Sequence, residues 1–533
     1  MISKHSLTAV DYVIFVGSLL GALGIGIWGF IKAKMVGQKE ADVENKATST
    51  SGAEAEDLVV TKDLALIPVV LSLVASYQSA IMIIGNPAEI YAYGGEWLVA
   101  FFGVGLAIIG ACYIYVPVMY PLNLSSSFQY FDVRYPGKEV RSVAACIYLL
   151  YMSLYMGVAL FAPVVALSSM TGFPQWAAIL IAGGICTIYS SLGGLRGVVW
   201  TDVFQITIMF VSLLSICTYG IVKAGGIVEV FEVCSKFDRL KVFKAILLNI
   251  PGIFVIVGIG NLMGFVLFAN YATCDPILTG EIDQIDEILP FFMQDKMGQI
   301  AGMAGLFIAS LFGGGLSTMS SGLNALASVA WEDGLKSTKW ATSLSASNKV
   351  TLIRFLGFIF GLVAVGLAFM SSNLGSINQV NVTLTTTFAA PLMAMFLTSI
   401  FLPFVNKPGV LGGALVSFAV ACWIGLGKFL HDLPAPIRIP SSIEDCNNST
   451  DFMSQTHYYD NRLFNQNNST NELSDVHTKD IYHVSYLLNV HFGLWSGVLA
   501  TVFISIFTGG LKNTHKDSAA FHPWIRRFVK NTE

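Results

Sequence analysis

Apolar runs of about 20 residues recur along nearly the whole 533-residue chain, and no other feature constrains its fold as strongly. A helix needs about 20 apolar residues to cross the roughly 30 Å of hydrocarbon in a bilayer. Apolar residues make up 54% of the chain and charged residues only 12%, too few to cover a globule in water. The sequence therefore predicts an all-α polytopic membrane protein, because a helix satisfies its own backbone polar groups in lipid.

Reading these runs in chain order predicts twelve membrane spans. Their ranges are 7–31, 64–84, 97–119, 143–170, 176–192, 198–222, 245–272, 300–331, 350–370, 383–404, 410–430 and 484–507. The first run lacks a clear small-residue cleavage site and precedes eleven others, so we expect a retained span and not a signal peptide.

The loops that collect Lys and Arg predict the orientation of the chain. Basic residues follow the first span, precede the fourth and fill the tail after 511, so these segments are predicted to be cytoplasmic. The loop 431–483 is then extracellular, which its N-x-S/T glycosylation acceptors require if they are used: Asn447, Asn448, Asn467 and Asn468. We expect a multi-pass plasma-membrane protein with an extracellular N-terminus and a cytoplasmic C-terminus.

The eight cysteines show no metal-binding spacing such as C-x-x-C. Most are scattered singly inside spans and are expected to be packing residues. Cys274 and Cys446 lie in the two hydrophilic loops predicted to be outside, where oxidation is favoured, so these two could form a disulfide.

The side of the membrane assigned to the segment from Lys223 to Lys244 depends on the end of the chain from which the spans are counted. Counted from the N-terminus this segment must be outside, whereas counted from the C-terminus it must be inside. It cannot itself span, because six charged side chains would cost on the order of 15 kcal/mol to insert: Glu229, Glu232, Lys236, Asp238, Arg239 and Lys241. One crossing is therefore missing here. The alternatives are a re-entrant span elsewhere or a local failure of the charge bias.

Four long stretches carry a family resemblance. They are LSLVASYQSAIMIIGNPAEIYAYG at 71–94, YMGVALFAPVVAL at 155–167, YSSLGGLRGVVWTDVFQ at 189–205 and the segment 290–333. In this order they resemble the sodium/solute symporter family, in the branch that carries monocarboxylates, iodide and multivitamin substrates. Gly197 departs from the family signature, where a small Ser, Ala or Pro is usual. The resemblance implies a leucine-transporter-type fold with an extra N-terminal helix, two inverted five-helix repeats and C-terminal helices.

The resemblance also accounts for the missing crossing. In this family a whole helix, the first of the second repeat, lies between the spans that here end at Val222 and begin at Ala245. The predicted organisation is an extra N-terminal transmembrane helix (1–31), a cytoplasmic linker (32–63), core helices 1–5 of the first repeat (64–222), a charged linker (223–244), core helices 7–10 of the second repeat (245–405), a C-terminal helix (406–430), an extracellular glycosylated loop (431–483), a last transmembrane helix (484–510) and a cytoplasmic tail (511–533).

A polar interruption at 75–79 in the first core helix is the main candidate site. A sodium ion is a hard cation that binds oxygen atoms, and a helix presents carbonyls only where its hydrogen-bond ladder is broken. The resemblance implies a sodium site formed by Ala75, Gln78, Gly314, Ser317 and Thr318. Without the resemblance, these residues read as ordinary helix-packing polarity and as hydroxyls bonded to their own helix.

Further site residues follow from the same resemblance. A second cation position in some relatives maps to Ser76, Asp202, Ser320 and Ser321. Asp202 is an intramembrane carboxylate, although its proximity to Arg196 also fits a solvated interfacial ion. Substrate contacts are expected from Tyr77, Gln78 and Tyr155; for the two tyrosines the alternative is ordinary aromatic core packing.

These features predict a sodium-coupled symporter that imports a small solute, such as a monocarboxylate, a vitamin or an iodide-like anion, by alternating access. The partners expected are that solute, the sodium ion and the lipid bilayer. No catalytic constellation appears, and the net charge of −4 offers nothing to nucleic acid. The alternative is a transport-inactive relative, such as a splice form, a sensor or an interaction partner, because the sixth core helix is absent.

Overall fold

The computed structural model describes residues 7–44, 66–236, 255–371, 377–430, 441–443, 446, 485–511 and 520–530. Within these ranges the chain forms helices and turns and no β-strand, as expected for an all-α membrane protein. The α-helices in chain order are α1 (Ala9–Glu44), α2 (Leu66–Tyr77), α3 (Ala80–Tyr93), α4 (Leu98–Gly110), α5 (Val116–Met119), α6 (Tyr130–Arg134), α7 (Glu139–Thr171), α8 (Gln175–Lys223), α9 (Ile227–Lys236), α10 (Val255–Tyr271), α11 (Ile288–Met297), α12 (Met303–Val329), α13 (Lys339–Thr342), α14 (Ala346–Ser371), α15 (Ile377–Phe401), α16 (Lys407–Leu430), α17 (Asn489–Phe507) and α18 (Pro523–Lys530).

Ten of the twelve predicted spans correspond to helices that could cross a bilayer. In the described part of the chain nine helical segments are long and apolar enough, and the bent pair of α2 and α3 makes a tenth. The predicted span 176–192 is the shorter apolar segment Gln175–Ser191 of α8. The predicted span 245–272 is represented by the 17-residue α10, and residues 245–254 lie outside the described ranges.

Helix α1 continues to Glu44, so its last thirteen residues occupy the predicted linker 32–63. Its start is fixed by Asp11, whose Oδ2 accepts hydrogen bonds from the Thr8 amide at 2.8 Å and the Thr8 hydroxyl at 2.5 Å. The other oxygen of Asp11 accepts the Gly305 amide at 2.9 Å, in the first turn of α12. The extra N-terminal helix is thereby joined to the helix that carries most of the candidate sodium ligands.

A disulfide between Cys274 and Cys446 confirms the pairing that the sequence allowed. The backbone beside the two cysteines is also hydrogen-bonded: the Asp275 amide donates to Ser442 O at 3.1 Å, and the Ser442 amide donates to Ala272 O at 3.2 Å. The end of the helix bundle that carries this bond is called the disulfide side below. It is the side that the distribution of Lys and Arg predicts to be extracellular.

The second span of α8, Val198–Lys223, and helix α10 both run toward the disulfide side. Helix α10 ends there, three residues before Cys274, and the Asn270 amide group donates to Gly220 O near the end of α8 at 3.3 Å. The Tyr219 hydroxyl donates to Lys296 O at 2.9 Å, at the end of α11 on the same side. These two segments therefore point in the same direction, so the end of the first (Lys223) and the start of the second (Val255) lie toward opposite ends of the bundle.

The described part of this connection is the short helix α9. Its Cys234 thiol donates to Phe265 O of α10 at 3.6 Å, and Val230 and Cys234 are fully buried. Glu229 and Glu232 are exposed on the opposite face. The first half of the charged linker is thus an amphipathic helix packed on α10, and residues 237–254 lie outside the described ranges.

Candidate functional site

The helix that begins the core is broken between α2 and α3, where its axis bends by 54°. The Ser79 amide donates to Tyr77 O at 3.1 Å, and the Met82 amide donates to Ser79 O at 3.1 Å. In a continuous helix these amides would instead donate to the carbonyls of Ala75 and Gln78. Both carbonyls therefore lose their helical donors and become available to a ligand, at the two positions that the resemblance nominates.

Helix α12 crosses directly over this break. A Cβ atom added at Gly314 would lie 2.9 Å from Ala80 N and 3.3 Å from Gln78 O, so only glycine permits this approach. One turn later the Thr318 hydroxyl donates to Ser76 O at 3.3 Å. The structure thus brings Gly314 and Thr318 against the interrupted segment.

Ser317 instead makes contact with the carboxylate on α8. Its hydroxyl donates to Asp202 Oδ1 at 2.6 Å, and the Ser72 hydroxyl donates to Asp202 Oδ2 at 2.5 Å. A hydroxyl that donates its proton keeps lone pairs for a cation, so Ser317 remains a suitable ligand. The Asp202 side chain is 0% exposed, which excludes the alternative of a solvated interfacial ion. The Arg196 side chain lies outside the described residues.

Three of the four residues predicted to form the second cation site, Ser76, Asp202 and Ser321, lie together. The hydroxyls of Ser76 and Ser321 lie 2.8 Å apart, across the contact between α2 and α12. The Ser320 hydroxyl donates to Ser317 O at 3.0 Å, within its own helix. The structure therefore places Ser76 and Ser321 beside Asp202, which also bonds to Ser72 and Ser317, whereas the Ser320 hydroxyl bonds within its own helix.

Sequence reasoning missed two polar residues at this site. Ser72 bonds to Asp202, and its only sequence signal is its spacing of four residues from Ser76 on one face of α2. Gln205 lies almost fully buried one turn after Asp202, and neither polar atom of its side chain has a hydrogen-bond partner among the described residues. Its methylene group faces Gly313.

The three residues predicted to contact substrate differ in their surroundings. Gln78 is buried, and its Oε1 atom has no hydrogen-bond partner in the described part of the chain. The Tyr155 ring stacks on the Tyr151 ring at 6.0 Å between centroids. Tyr77 is 45% exposed, so the flank of α2 beside the break is open.

The donor set suits a sodium ion. It consists of released carbonyls, neutral hydroxyls and one buried carboxylate, all of which are oxygen ligands of the kind that hard cations bind. Among the described residues no group of His, Cys, Asp and Glu could hold a transition metal. The buried Asp202 carboxylate would also gain a compensating charge from a cation at this site.

Comparison with known proteins identifies the family. The model of the sodium:solute symporter family matches residues 58–242 and 233–417. The chain belongs to this family. It is 29% identical to the human sodium-coupled monocarboxylate transporter 2 over 548 residues, which cover 94% of this chain and 84% of that protein. It is also 29% identical to the rabbit sodium-dependent multivitamin transporter over 571 residues, covering 98% and 86% of the two chains.

A solved structure confirms the fold class. It is described as the substrate-bound outward-open state of a Na⁺-coupled sialic acid symporter and covers 94% of this chain and 98% of its own, with a TM-score of 0.66. At 17% identity it shows the fold alone. Together with the family match, it confirms a leucine-transporter-type membrane protein with sodium as the coupling ion. The predicted resemblance is likewise confirmed.

Proposed function

We propose that this chain imports a small organic anion or an iodide-like anion together with sodium at the plasma membrane. The observation that carries the proposal is the broken first core helix, whose Ala75 and Gln78 carbonyls lose their helical donors opposite Gly314 on α12. Family membership supports sodium-coupled symport, and the names of the relatives in monocarboxylate and vitamin transport support a carboxylate-bearing solute.

In this proposal sodium joins the break to α12. The carbonyls of Ala75, Gln78 and Gly314 and the hydroxyls of Ser317 and Thr318 hold the first ion. Asp202, aided by Ser72 and the Ser76–Ser321 pair, supports a second cation, and Ser320 positions the backbone of that turn. Bound sodium stabilises the arrangement in which Gln78, Tyr77 and Tyr155 meet the solute, and the repeats then rock about the shared site.

A second candidate is a transport-inactive relative. The parallel course of the second span of α8 and of α10 favours it, because the helix that the family resemblance implies between them is replaced by the linker 223–244. The two family matches overlap at 233–242, within this linker. The alignment to the human relative is 548 residues long, which is longer than the 94% of this 533-residue chain that it covers. The human relative therefore has residues without a counterpart in this chain. A missing sixth core helix would account for these observations and would remove one wall of the pocket.

Uptake in cells that express this exact chain distinguishes the two candidates. Surface labelling first establishes delivery, and uptake of monocarboxylates, iodide, biotin and pantothenate is then measured with sodium or with choline outside. Saturable, sodium-dependent accumulation supports the importer. Surface-delivered protein without accumulation supports the inactive relative, provided that the human monocarboxylate transporter 2 accumulates substrate in the same cells.

A further inference from the structure

The chain after the last membrane span returns to the bundle and docks at the end opposite the disulfide side. Phe521 is fully buried, and the Arg134 guanidinium lies over its ring at 4.6 Å. The Tyr130 hydroxyl donates to Ala520 O at 3.0 Å. The His522 amide donates at 3.3 Å to Ile400 O, in the penultimate residue of the spanning helix α15. This contact fixes the docked segment at the level where a membrane span ends.

His522 ties this segment to a second membrane helix. The span Gly103–Leu122 contains a π-helical turn at Ala111–Tyr115, and Pro117 has no amide hydrogen to donate to Tyr113 O four residues earlier. His522 Nε2 lies 2.9 Å from that carbonyl, while its Nδ1 accepts the Trp524 amide at 3.3 Å. The second bond requires an unprotonated Nδ1, so Nε2 carries the hydrogen and donates it to Tyr113 O.

Helix α18 begins directly after this anchor and has two chemically distinct sides. On a helical wheel Trp524, Ile525, Phe528 and Val529 fall together, and Arg526, Arg527 and Lys530 fall opposite them. The segment 511–530 contains five Lys and Arg residues and a single acidic residue, Asp517. A short basic helix with one apolar side is typical of segments that lie in the plane of a membrane surface.

The exposed aromatic side chains around the anchor indicate where that surface lies. Trp524 is 66% exposed and packs edge-on against the His522 ring at 4.8 Å. Tyr113 and Tyr120 on the neighbouring span are also exposed, at 68% and 83%. Trp and Tyr concentrate at the boundary between hydrocarbon and headgroups. These exposed rings therefore indicate that the boundary passes Trp524, at the start of α18.

We propose that α18 is a binding site for the headgroups of anionic phospholipids. Trp524 enters the boundary region, and the side of the helical wheel that carries Arg526, Arg527 and Lys530 supplies the positive charge for the lipid phosphates. The proposed ligand is an anionic lipid because the basic residues are concentrated on one side of the helical wheel, where their charge complements that of the headgroup. The Phe521 and His522 anchor holds the start of the helix at this end of the bundle.

Quenching of Trp524 fluorescence by brominated lipids tests this proposal on the full chain. The protein is reconstituted in phosphatidylcholine vesicles that contain the same fraction of either brominated phosphatidylserine or brominated phosphatidylcholine. The signal of Trp524 is the difference between the parent chain and Trp524→Phe. We expect stronger quenching by the serine lipid. The double variant Arg527→Gln/Lys530→Gln should lose about fivefold or more of this preference, because each basic residue near an anionic surface contributes about fivefold.

The control variant Lys223→Gln/Lys296→Gln removes two positive charges on the disulfide side and should leave the preference unchanged. Equal quenching by the two lipids overturns the proposal, as does an equal loss in both double variants. Loss of the preference on addition of inorganic phosphate at constant ionic strength would assign the site to a soluble anion and also overturn the lipid assignment. Because quenching needs no transport, this result is independent of whether the chain imports a solute.

Discussion

Gly314 shows how a single side chain controls the contact between the broken helix and α12. Its missing Cβ leaves room for the backbone of Gln78 and Ala80, whereas a Cβ at the adjacent Gly313 would lie an ordinary 3.5 Å from Gln205. The two glycines therefore form a matched pair, in which an added Cβ would clash at Gly314 and make an ordinary contact at Gly313.

We expect Gly314→Ala to destabilise the protein by about 1–3 kcal/mol, the usual cost of forcing a methyl group into a packed contact. It should also abolish the sodium-dependent rise in thermal unfolding temperature, because the break moves away from α12. Gly313→Ala is the control and should retain both properties. Equal behaviour of the two variants would contradict the assignment of Gly314 to the site.

The adjacent hydroxyls allow a test of the sodium ligands. Ser317→Ala combined with Thr318→Val removes two ligands with little change of volume. Loss of one ion ligand, worth about 1.5–3 kcal/mol, should raise the sodium concentration needed for half-maximal thermal stabilisation tenfold or more. Ser310→Ala provides the control, because that buried hydroxyl donates to Phe307 O within α12. An unchanged sodium dependence in the double variant would remove these residues from the site.

At this scale the family resemblance predicted part of the geometry of the candidate site. The resemblance nominated Ala75, Gln78 and Gly314, and the structure brings the break and α12 together there. The bond between Ser317 and Asp202 joins residues 115 positions apart, and local sequence patterns carry no information about such a pair. Ser72 escaped notice for the same reason, because its partner is 130 positions away.

At the scale of elements, hydropathy and helix propensity place the end of a helix at different residues. Apolar runs mark the part of a helix that suits lipid, and the run in α1 ends near residue 31. The following residues KAKMVGQKEADVE include many good helix formers, so α1 continues to Glu44 outside the predicted span. The π-helical turn at Ala111–Tyr115 is likewise invisible to hydropathy, because it concerns backbone bonding before Pro117.

The disulfide between Cys274 and Cys446 permits a direct test of how two distant loops are joined. A specific protease site inserted after the exposed Ser337 would cut the chain between the two cysteines. The two fragments should migrate together on a denaturing gel without reductant and separate when reductant is added. In Cys274→Ser the fragments should separate under both conditions. Separation of the unsubstituted protein without reductant would exclude the bond.

For the whole molecule, composition and periodicity were sufficient to predict the all-α membrane class, and ten predicted spans have helices that could cross a bilayer. They could not predict the course of the chain between α8 and α10. Charge bias assigns each loop to one side of the membrane. It assigns the linker 223–244 to both sides, because the helical segments before and after this linker run in the same direction. That course depends on tertiary contacts such as the one between Asn270 and Gly220.

Glycosylation tests which side of the molecule faces outward. We propose that the disulfide side is extracellular and that one or more of the acceptors in the 431–483 loop carry glycans, although Asn447, Asn448, Asn467 and Asn468 lie outside the described residues. Enzymatic deglycosylation of surface-labelled protein should increase its gel mobility. Replacement of the four asparagines by glutamine should give the same mobility without enzyme. Unchanged mobility after deglycosylation would remove the main support for this placement.

Chemical labelling then tests whether the linker recrosses the membrane. Helices α8 and α10 both end on the disulfide side, so single cysteines introduced as Lys223→Cys and Glu281→Cys should both react with an impermeant maleimide on intact cells. The background replaces the free cysteines and retains the Cys274–Cys446 pair. Ser337→Cys, beyond the far end of α12, should react only after permeabilisation. Protection of the cysteine at 223 together with reaction at 281 would place the two helix ends on opposite sides. The linker would then stay on one side, and α8 and α10 would run antiparallel, contrary to the structure.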